Sequence, residues 1–257
     1  MGLFDMFKKK ECSICGGEIG LLGNRKLEDG NMCKECANKL SPWFSDRRNS
    51  TIAEINEQLA YREENKNAVA TFGTTRTIGM NTKILFDENA QKFLVTSARD
   101  WKEANPDVLD FSQVTGCTLD IDEDTREEKT KDKEGKYVSY NPPRYDYYYD
   151  FYMTIHVNHP YFDEIKFKLN GSSVETNIAG AVPAFRKPNP KLNQDYKEYE
   201  AMGREIEKMF AEARTQIRKE AAAAAAPKIA VTCPFCGATT TPDASGCCEY
   251  CGGSVNG

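Results

Sequence analysis

Eight cysteines in four Cys-x-x-Cys pairs are the residues of this 257-residue chain whose type and spacing suit chemistry. They form two sets: Cys12 and Cys15 with Cys33 and Cys36, and Cys233 and Cys236 with Cys248 and Cys251. A Cys-x-x-Cys turn lets two thiolates reach one tetrahedral metal ion, and two such turns fill its shell. The expected cofactor is zinc, as two structural ions, one at each end of the chain. A filled shell leaves no position for water or substrate, so these sites build structure rather than catalyse. Iron held by four thiolates is the competing reading, because the same ligand set admits both metals. Either Cys247 or Cys248 can complete the second set, but only Cys248 leaves two residues before Cys251, and Cys247 becomes a spare thiol.

Other candidate groups do not assemble into a site. Asp120, Asp122 and Asp124 open like a calcium loop, yet Thr125 stands where glycine is needed and Lys131 where the bidentate glutamate belongs. Residues 120–134 therefore read as a solvated acidic loop. His156 and His159 are the only histidines, and three apart on a strand they face opposite ways. Phosphate-cradling glycine loops and the GxSxG nucleophile pattern are absent. Cys117 lies in a strand pattern and reads as a small core residue. No catalytic residues emerge, and the expectation is a protein that is not an enzyme.

The elements that position the thiols are short. Gly16-Gly17 permits a tight turn around the first pair, Leu27-Glu-Asp-Gly30 reads as a hairpin turn, and Cys36 runs into a helix start at residues 37–40 that Pro42 stops. Knuckle, hairpin and helix together make a treble clef, and the helix dipole favours thiolate at that end. The stretch CSICGGEIGLLGNRKLEDGNMCKECANKLSPWF resembles the small N-terminal treble-clef domain of proteins from Gram-positive bacteria, a domain of unknown function. That resemblance implies the ligands Cys12, Cys15, Cys33 and Cys36 and no activity. At the other end, CPFCG and CEYCG resemble the paired knuckles of a zinc ribbon.

Between the ends, Thr51-Ile-Ala-Glu54 is a capping box for a helix over residues 51–65, with Ile52, Ile55 and Leu59 on a narrow face that should dock on a neighbouring domain. Alternation then predicts strands over 69–78, 83–86, 92–96, 111–121 and 147–157, and another through Ile165, Phe167 and Leu169. Tyr196, Tyr199, Met202, Ile206, Met209, Phe210, Ala213 and Ile217 recur at helical steps in a long amphipathic helix. A small antiparallel β-barrel closed by one C-terminal helix resembles the pleckstrin-homology-like architecture and its GRAM-type relatives. The alanine run at 221–226, ended by Pro227, reads as a semi-rigid spacer. The expected class is α+β. The expected segments are a treble-clef module at 11–45, a linker helix at 50–66, the barrel and its helix at 68–219, a spacer at 220–229 and a zinc ribbon at 230–255.

The end modules, of about 25–35 residues each, cannot bury enough apolar surface to fold alone. Structural zinc contributes about 10–16 kcal/mol of apparent binding free energy, against about 5–15 kcal/mol for the stability of a whole domain. Metal should therefore decide whether each end folds. Net charge is −5 and 28% of residues are charged, so no general pull toward nucleic acid or anionic membrane is expected. No run of 18 apolar residues and no secretory signal is found, and paired thiols without an export signal point to a reducing, cytoplasmic location. Residues 137–152 carry seven tyrosines that could stack bases, but alternation sends about half of them inward. Residues 228–257 set Lys228 against Asp243 and Glu249, a net of −1, which also disfavours nucleic acid.

The partners expected are other proteins, with Trp43 and Phe44 as anchors or as packing for the 51–65 helix. Residues 1–10 place Leu3, Phe4, Met6 and Phe7 beside three lysines, an interfacial anchor for weak membrane contact or a frayed terminus. Met6 occupies the place where the myristoylation pattern wants Ser or Thr. The function expected is a non-enzymatic, zinc-stabilised interaction or scaffold protein. Its alternatives are a peripheral membrane module and a nucleic-acid-binding zinc ribbon protein.

Overall fold

The computed structural model describes residues 10–177, 179–225, 230–242 and 245–255. The expected anchor at 1–10 lies, but for Lys10, outside the described residues. The chain divides into two units, Met1–Arg214 and Thr215–Gly257.

The first unit starts with elements too short to hold themselves. β1 (Lys10–Glu11) pairs with β2 (Glu18–Ile19), β3 (Arg25–Lys26) pairs with β4 (Asn31–Met32), and α1 covers Lys34–Ala37. Cys12, Ile19, Leu27, Met32, Cys36 and Leu40 are buried together, and Ile55 of α2 (Ile52–Thr71) completes their cluster. The capping box forms: Glu54 N–H donates to Thr51 Oγ1 at 3.3 Å and Thr51 N–H to Glu54 Oε2 at 2.7 Å. Asp29 Oδ1 accepts from Ile52 N–H at 2.8 Å, so the hairpin turn helps to cap the helix that packs on it.

Two helix boundaries differ from expectation. α1 begins after Cys33 rather than at Ala37, because Cys33 Sγ accepts the Cys36 N–H and caps the turn. α2 runs on to Thr71, so the strand expected over 69–78 shrinks to β5 (Arg76–Gly79). The reason is chemical: the buried face of α2 continues through Gln58, Arg62, Asn65 and Val69, mostly polar residues that hydrophobic periodicity does not count.

Two of them, Arg62 and Asn65, meet a loop, whereas the buried Gln58 amide has no hydrogen-bond partner among the described residues. After β5 come β6 (Lys83–Asp87), β7 (Lys92–Thr96), α3 (Trp101–Ala104) and β8 (Val108–Asp110), and β5 to β8 form an antiparallel sheet in sequence order. Between α3 and β8, Asn105 turns left-handed at φ 50° and presents Asn105, Pro106 and Asp107 to α2. Arg62 bonds Asp107, the Asn105 carbonyl and the Lys39 carbonyl. Asn65 donates to the Pro106 carbonyl at 2.8 Å and accepts from Val108 N–H at 3.0 Å. Ser41, five residues past the last cysteine of the first set, donates to Asp107 Oδ2 at 2.7 Å. Backbone groups that a buried loop would leave unpaired are thereby satisfied by side chains.

The second sheet is built on one long strand. β9 (Val114–Lys131) and β10 (Tyr137–Val157) pair along nearly their whole length, and β11 (Glu164–Lys168), β12 (Val174–Glu175) and β13 (Val182–Pro183) take turns on the other edge of β10. Tyr147, Tyr149, Phe151, Met153, Ile155 and Val157 are buried, as their alternation requires. The acid-rich segment expected to be a loop at 120–134 is instead mostly strand, and the strand expected over 111–121 starts only at Val114, after a 3-10 turn at Phe111–Gln113. Cross-strand contacts offset the charge: Arg126 lies 4.6 Å over the Tyr148 ring, and Glu123 accepts from Tyr149 Oη at 2.9 Å and from Lys187 Nζ. Where short strands leave gaps beside β10, asparagines replace the missing ladder. Asn170 Oδ1 accepts from Phe151 N–H at 2.8 Å and Asn177 Oδ1 from Tyr147 N–H at 2.9 Å.

α4 (Gln194–Ala225) packs on both sheets. Phe210 meets Phe93 of the first sheet at 4.9 Å between centroids, and Tyr196 meets Tyr149 and Phe151 of the second at 5.1 Å. Gly203 permits close approach, since a Cβ there would fall 2.6 Å from Leu119 of β9. The class is mixed α and β. The expected barrel appears as two separate antiparallel sheets under one helix; among the described residues neither sheet closes.

In the second unit α4 extends to Ala225, and residues 226–229 of the expected spacer lie outside the described residues. There β14 (Val231–Thr232) pairs with β15 (Thr239–Thr240), and Thr240 is buried.

Candidate metal centres

The two thiol sets gather as spacing predicts. The Sγ atoms of Cys12, Cys15, Cys33 and Cys36 lie within 4.8 Å of one another, and so do those of Cys233, Cys236, Cys248 and Cys251. A tetrahedral ion with metal–sulfur bonds of about 2.3 Å requires sulfurs about 3.8 Å apart. The separations Cys15–Cys33, Cys233–Cys251 and Cys236–Cys248 are 3.9, 3.6 and 3.7 Å, far longer than the roughly 2.05 Å of a disulfide. The residues therefore fit a four-thiolate metal ion, two ions in all.

Three of the four pairs are built to one plan. Cys12, Cys233 and Cys248 each accept at their carbonyl from the glycine four residues on, Gly16, Gly237 and Gly252, at 2.8, 2.9 and 2.8 Å. Each also donates its N–H one residue further, to Gly17, Ala238 and Gly253. The turning glycines have φ of 70°, 72° and 70°, a left-handed conformation that side chains resist. The pair Cys33–Cys36 differs, because α1 supplies its turn.

Backbone N–H groups aim at the sulfurs. Cys33 N lies 3.2 Å from Cys12 Sγ, and Phe235 N lies 3.4 Å from Cys233 Sγ. Burial pushes the Cys12 thiol up, but N–H groups of Cys33, Cys15 and Ile14 outweigh it and bring it down to about 6. Cys248 behaves alike, burial opposed by N–H groups of Tyr250 and Cys251, and also reaches about 6. Cys36 moves the other way, raised by burial and by its sulfur neighbours Cys33, Cys15 and Cys12. The Gly253 N–H pulls Cys251 down, but the sulfurs of Cys236 and Cys233 push it up to about 12. Each quartet thus favours some thiolates and resists the last, and a bound cation removes that resistance.

Other sequence candidates stay apart from these centres. Cys247 is outside the second quartet; it bridges to Ser254, and its Sγ is 3.9 Å from the Ser245 carbonyl. Cys117 is half-buried on β9, pushed up to about 12 by burial and then by Glu207. His156 is exposed near Glu164 at 3.8 Å, while His159 stacks on Phe162 at 4.1 Å. Asp120, Asp122 and Asp124 alternate along a strand and form no metal cluster among the described residues. Phe44 packs on the cysteine module, and Trp43 lines a cleft with Arg62, Val95 and Phe167. The Arg62–Asp107 network escaped sequence reading altogether, because nothing in spacing joins residues 45 apart.

Residues 10–58 match a family model described as a domain of unknown function (DUF4428). The N-terminal module is therefore a domain of that family, holding the first quartet. The match continues past residue 45 into α2, where Ile52, Ile55 and Leu59 pack on the cysteine cluster. No curated protein and no solved structure matches the chain at a significant level. Among the described residues no helix is long and apolar enough to cross a membrane.

Proposed function

We propose that this chain is a non-enzymatic interaction or scaffold protein of the cytoplasm, with both ends held in shape by structural zinc. The single observation that carries the reading is the pair of closed four-thiol clusters at tetrahedral spacing. Zinc bound by four thiolates has no open position, so it supplies folding free energy and no chemistry. The rest of the first unit supports an architectural role. A pleckstrin-homology-like reading of the two sheets under α4 supplies a rigid body with a helix over one end. The buried link from Ser41 and Arg62 to Asp107 fixes the N-terminal module against that body. Proteins are the partners this reading expects.

Metal content of the full-length chain tests it, measured by native mass spectrometry after purification without added metal. Two zinc ions per chain are expected, with both lost in the Cys12→Ser/Cys233→Ser variant while the two central sheets stay folded. Iron, or fewer than one metal with oxidised thiols, would sink the reading in favour of electron transfer or thiol exchange.

A further inference from the structure

Leu21 and Leu22, between β2 and β3, are 100% and 90% exposed, whereas Ile19 and Leu27 on either side are buried. Two adjacent leucines held fully in water form a small apolar tip on this module. Beneath them lies a guanidinium. Arg25 Nη1 donates to the Leu22 and Asn24 carbonyls, each at 3.3 Å, and so braces the loop from below. Arg47 follows, donating to the Lys26 carbonyl at 2.5 Å. The bond to Lys26 sets Arg47 and Arg48 against the strand that carries Arg25, and burial, then the positive charges of Arg25 and Arg48, makes Arg47 easier to deprotonate than usual. Among the described residues none of the three sits in a salt bridge; Arg25 and Arg47 give Nη1 to backbone carbonyls and keep their other guanidinium N–H groups for a ligand. The neighbouring acids Glu28, Asp29 and Asp46 form no salt bridge with them among the described residues; Asp29 accepts the Ile52 N–H and Asp46 the Asn49 side-chain amide. Lys10, paired with Ile19 next to the loop, follows Lys8 and Lys9 in sequence.

We propose that this loop docks the N-terminal module on an anionic lipid bilayer, Leu21 and Leu22 entering the boundary of headgroups and acyl chains while Arg25, Arg47 and Arg48 meet lipid phosphates. Charge complementarity selects the occupant. On a chain of net charge −5, a cation cluster with no salt bridge among the described residues, under an apolar tip, matches a surface that is negative outside and apolar within. A two-residue protrusion also needs no matching pocket in a fluid bilayer. The inference rests on the metal reading in one respect: the loop lies between Cys15 and Cys33, so the bound ion holds its shape.

The test is co-sedimentation of the full-length chain, metal content verified, with vesicles of phosphatidylcholine alone or of equal parts phosphatidylcholine and phosphatidylserine. Binding is expected to the phosphatidylserine vesicles and to fall at raised salt. Leu21→Ser/Leu22→Ser should abolish it. Arg48→Glu, at a residue with no side-chain partner among those described, should weaken it about tenfold or more, since each basic residue near the surface is worth about fivefold. A metal-loaded chain that stays in the supernatant overturns the docking alone, as does a Leu21→Ser/Leu22→Ser variant that sediments like wild type. If that variant instead changes the oligomeric state by light scattering without any vesicle binding, the leucines serve a protein contact and the proposal falls. A chain isolated without metal overturns the metal reading separately, and the same assay after zinc reconstitution still decides the docking.

Discussion

Arg62 Nη1 and Asp107 Oδ1 lie 2.6 Å apart with side chains only 7% and 0% exposed, joining α2 to the loop before β8. Two other donors also converge on Asp107, Ser41 Oγ at 2.7 Å and Tyr61 Oη at 3.2 Å. Removing one partner of such a buried pair strands the other charge. Asp107→Ala should lower stability to urea by about 3–5 kcal/mol, while the Arg62→Met/Asp107→Leu double variant should lose far less. Equal losses in the two variants would mean that the network, not the stranded charge, sets the cost.

Chelation should unfold the metal modules before the sheets. In the first unit the cysteines Cys12 and Cys36 share a core with Leu27, Met32 and Ile55, so loss of the ion also frees part of α2. Hydrogen exchange on the chelated chain should show residues 11–45 and the first turns of α2 unprotected, with β10 still protected. Retained protection across residues 11–45 would show that the apolar cluster holds the module unaided.

Each knuckle depends on a left-handed glycine. Gly16→Ala has open space around its Cβ but must adopt φ 70°, which costs about 1–2 kcal/mol for an L-residue. Competition with a chromogenic chelator should therefore show weaker metal binding at the first site only, by roughly tenfold. Gly237→Ala should do the same at the second. An unaffected chelator midpoint would mean that the turn is not strained by a side chain.

Phe210 is 2% exposed and touches the rings of Phe86, Phe93 and Phe111. Phe210→Ala should destabilise the sheet–helix body by about 3–5 kcal/mol, read from its denaturant midpoint. Metal stoichiometry should stay unchanged, which separates this core from the thiol modules.

His159 gives the acid side of stability a sign. It packs on Phe162, Tyr61 and Tyr161, and burial lowers its pKa below 6.5, with Asp107 working weakly against the shift. The folded chain thus holds it neutral. As pH falls through 6.5 the unfolded chain takes up the proton first, so stability declines below that pH and the loss levels off once pH passes the lower folded value. His159→Phe should flatten this limb of a melting-temperature profile.

Some of this protein was written locally. Cys-x-x-Cys pairs with glycine four residues after the first cysteine code for a turn and its ligands together, and the capping box marks where α2 begins. The alternation from Tyr147 to Val157 assigns an inner and an outer face within one strand. These features need only neighbours a few residues away, so spacing alone carried them. Where an element ended, and what it touched, depended on distant partners. α2 passes residue 65 because Asn65 and Arg62 find carbonyls and a carboxylate about 40 residues on. β9 carries its acids through to Lys131 because β10 lies alongside with tyrosines and Lys187 stands opposite Glu123. A buried polar face and a charged strand both look like surface until the tertiary structure supplies their partners, because burial of a polar group is favourable only when something distant satisfies it.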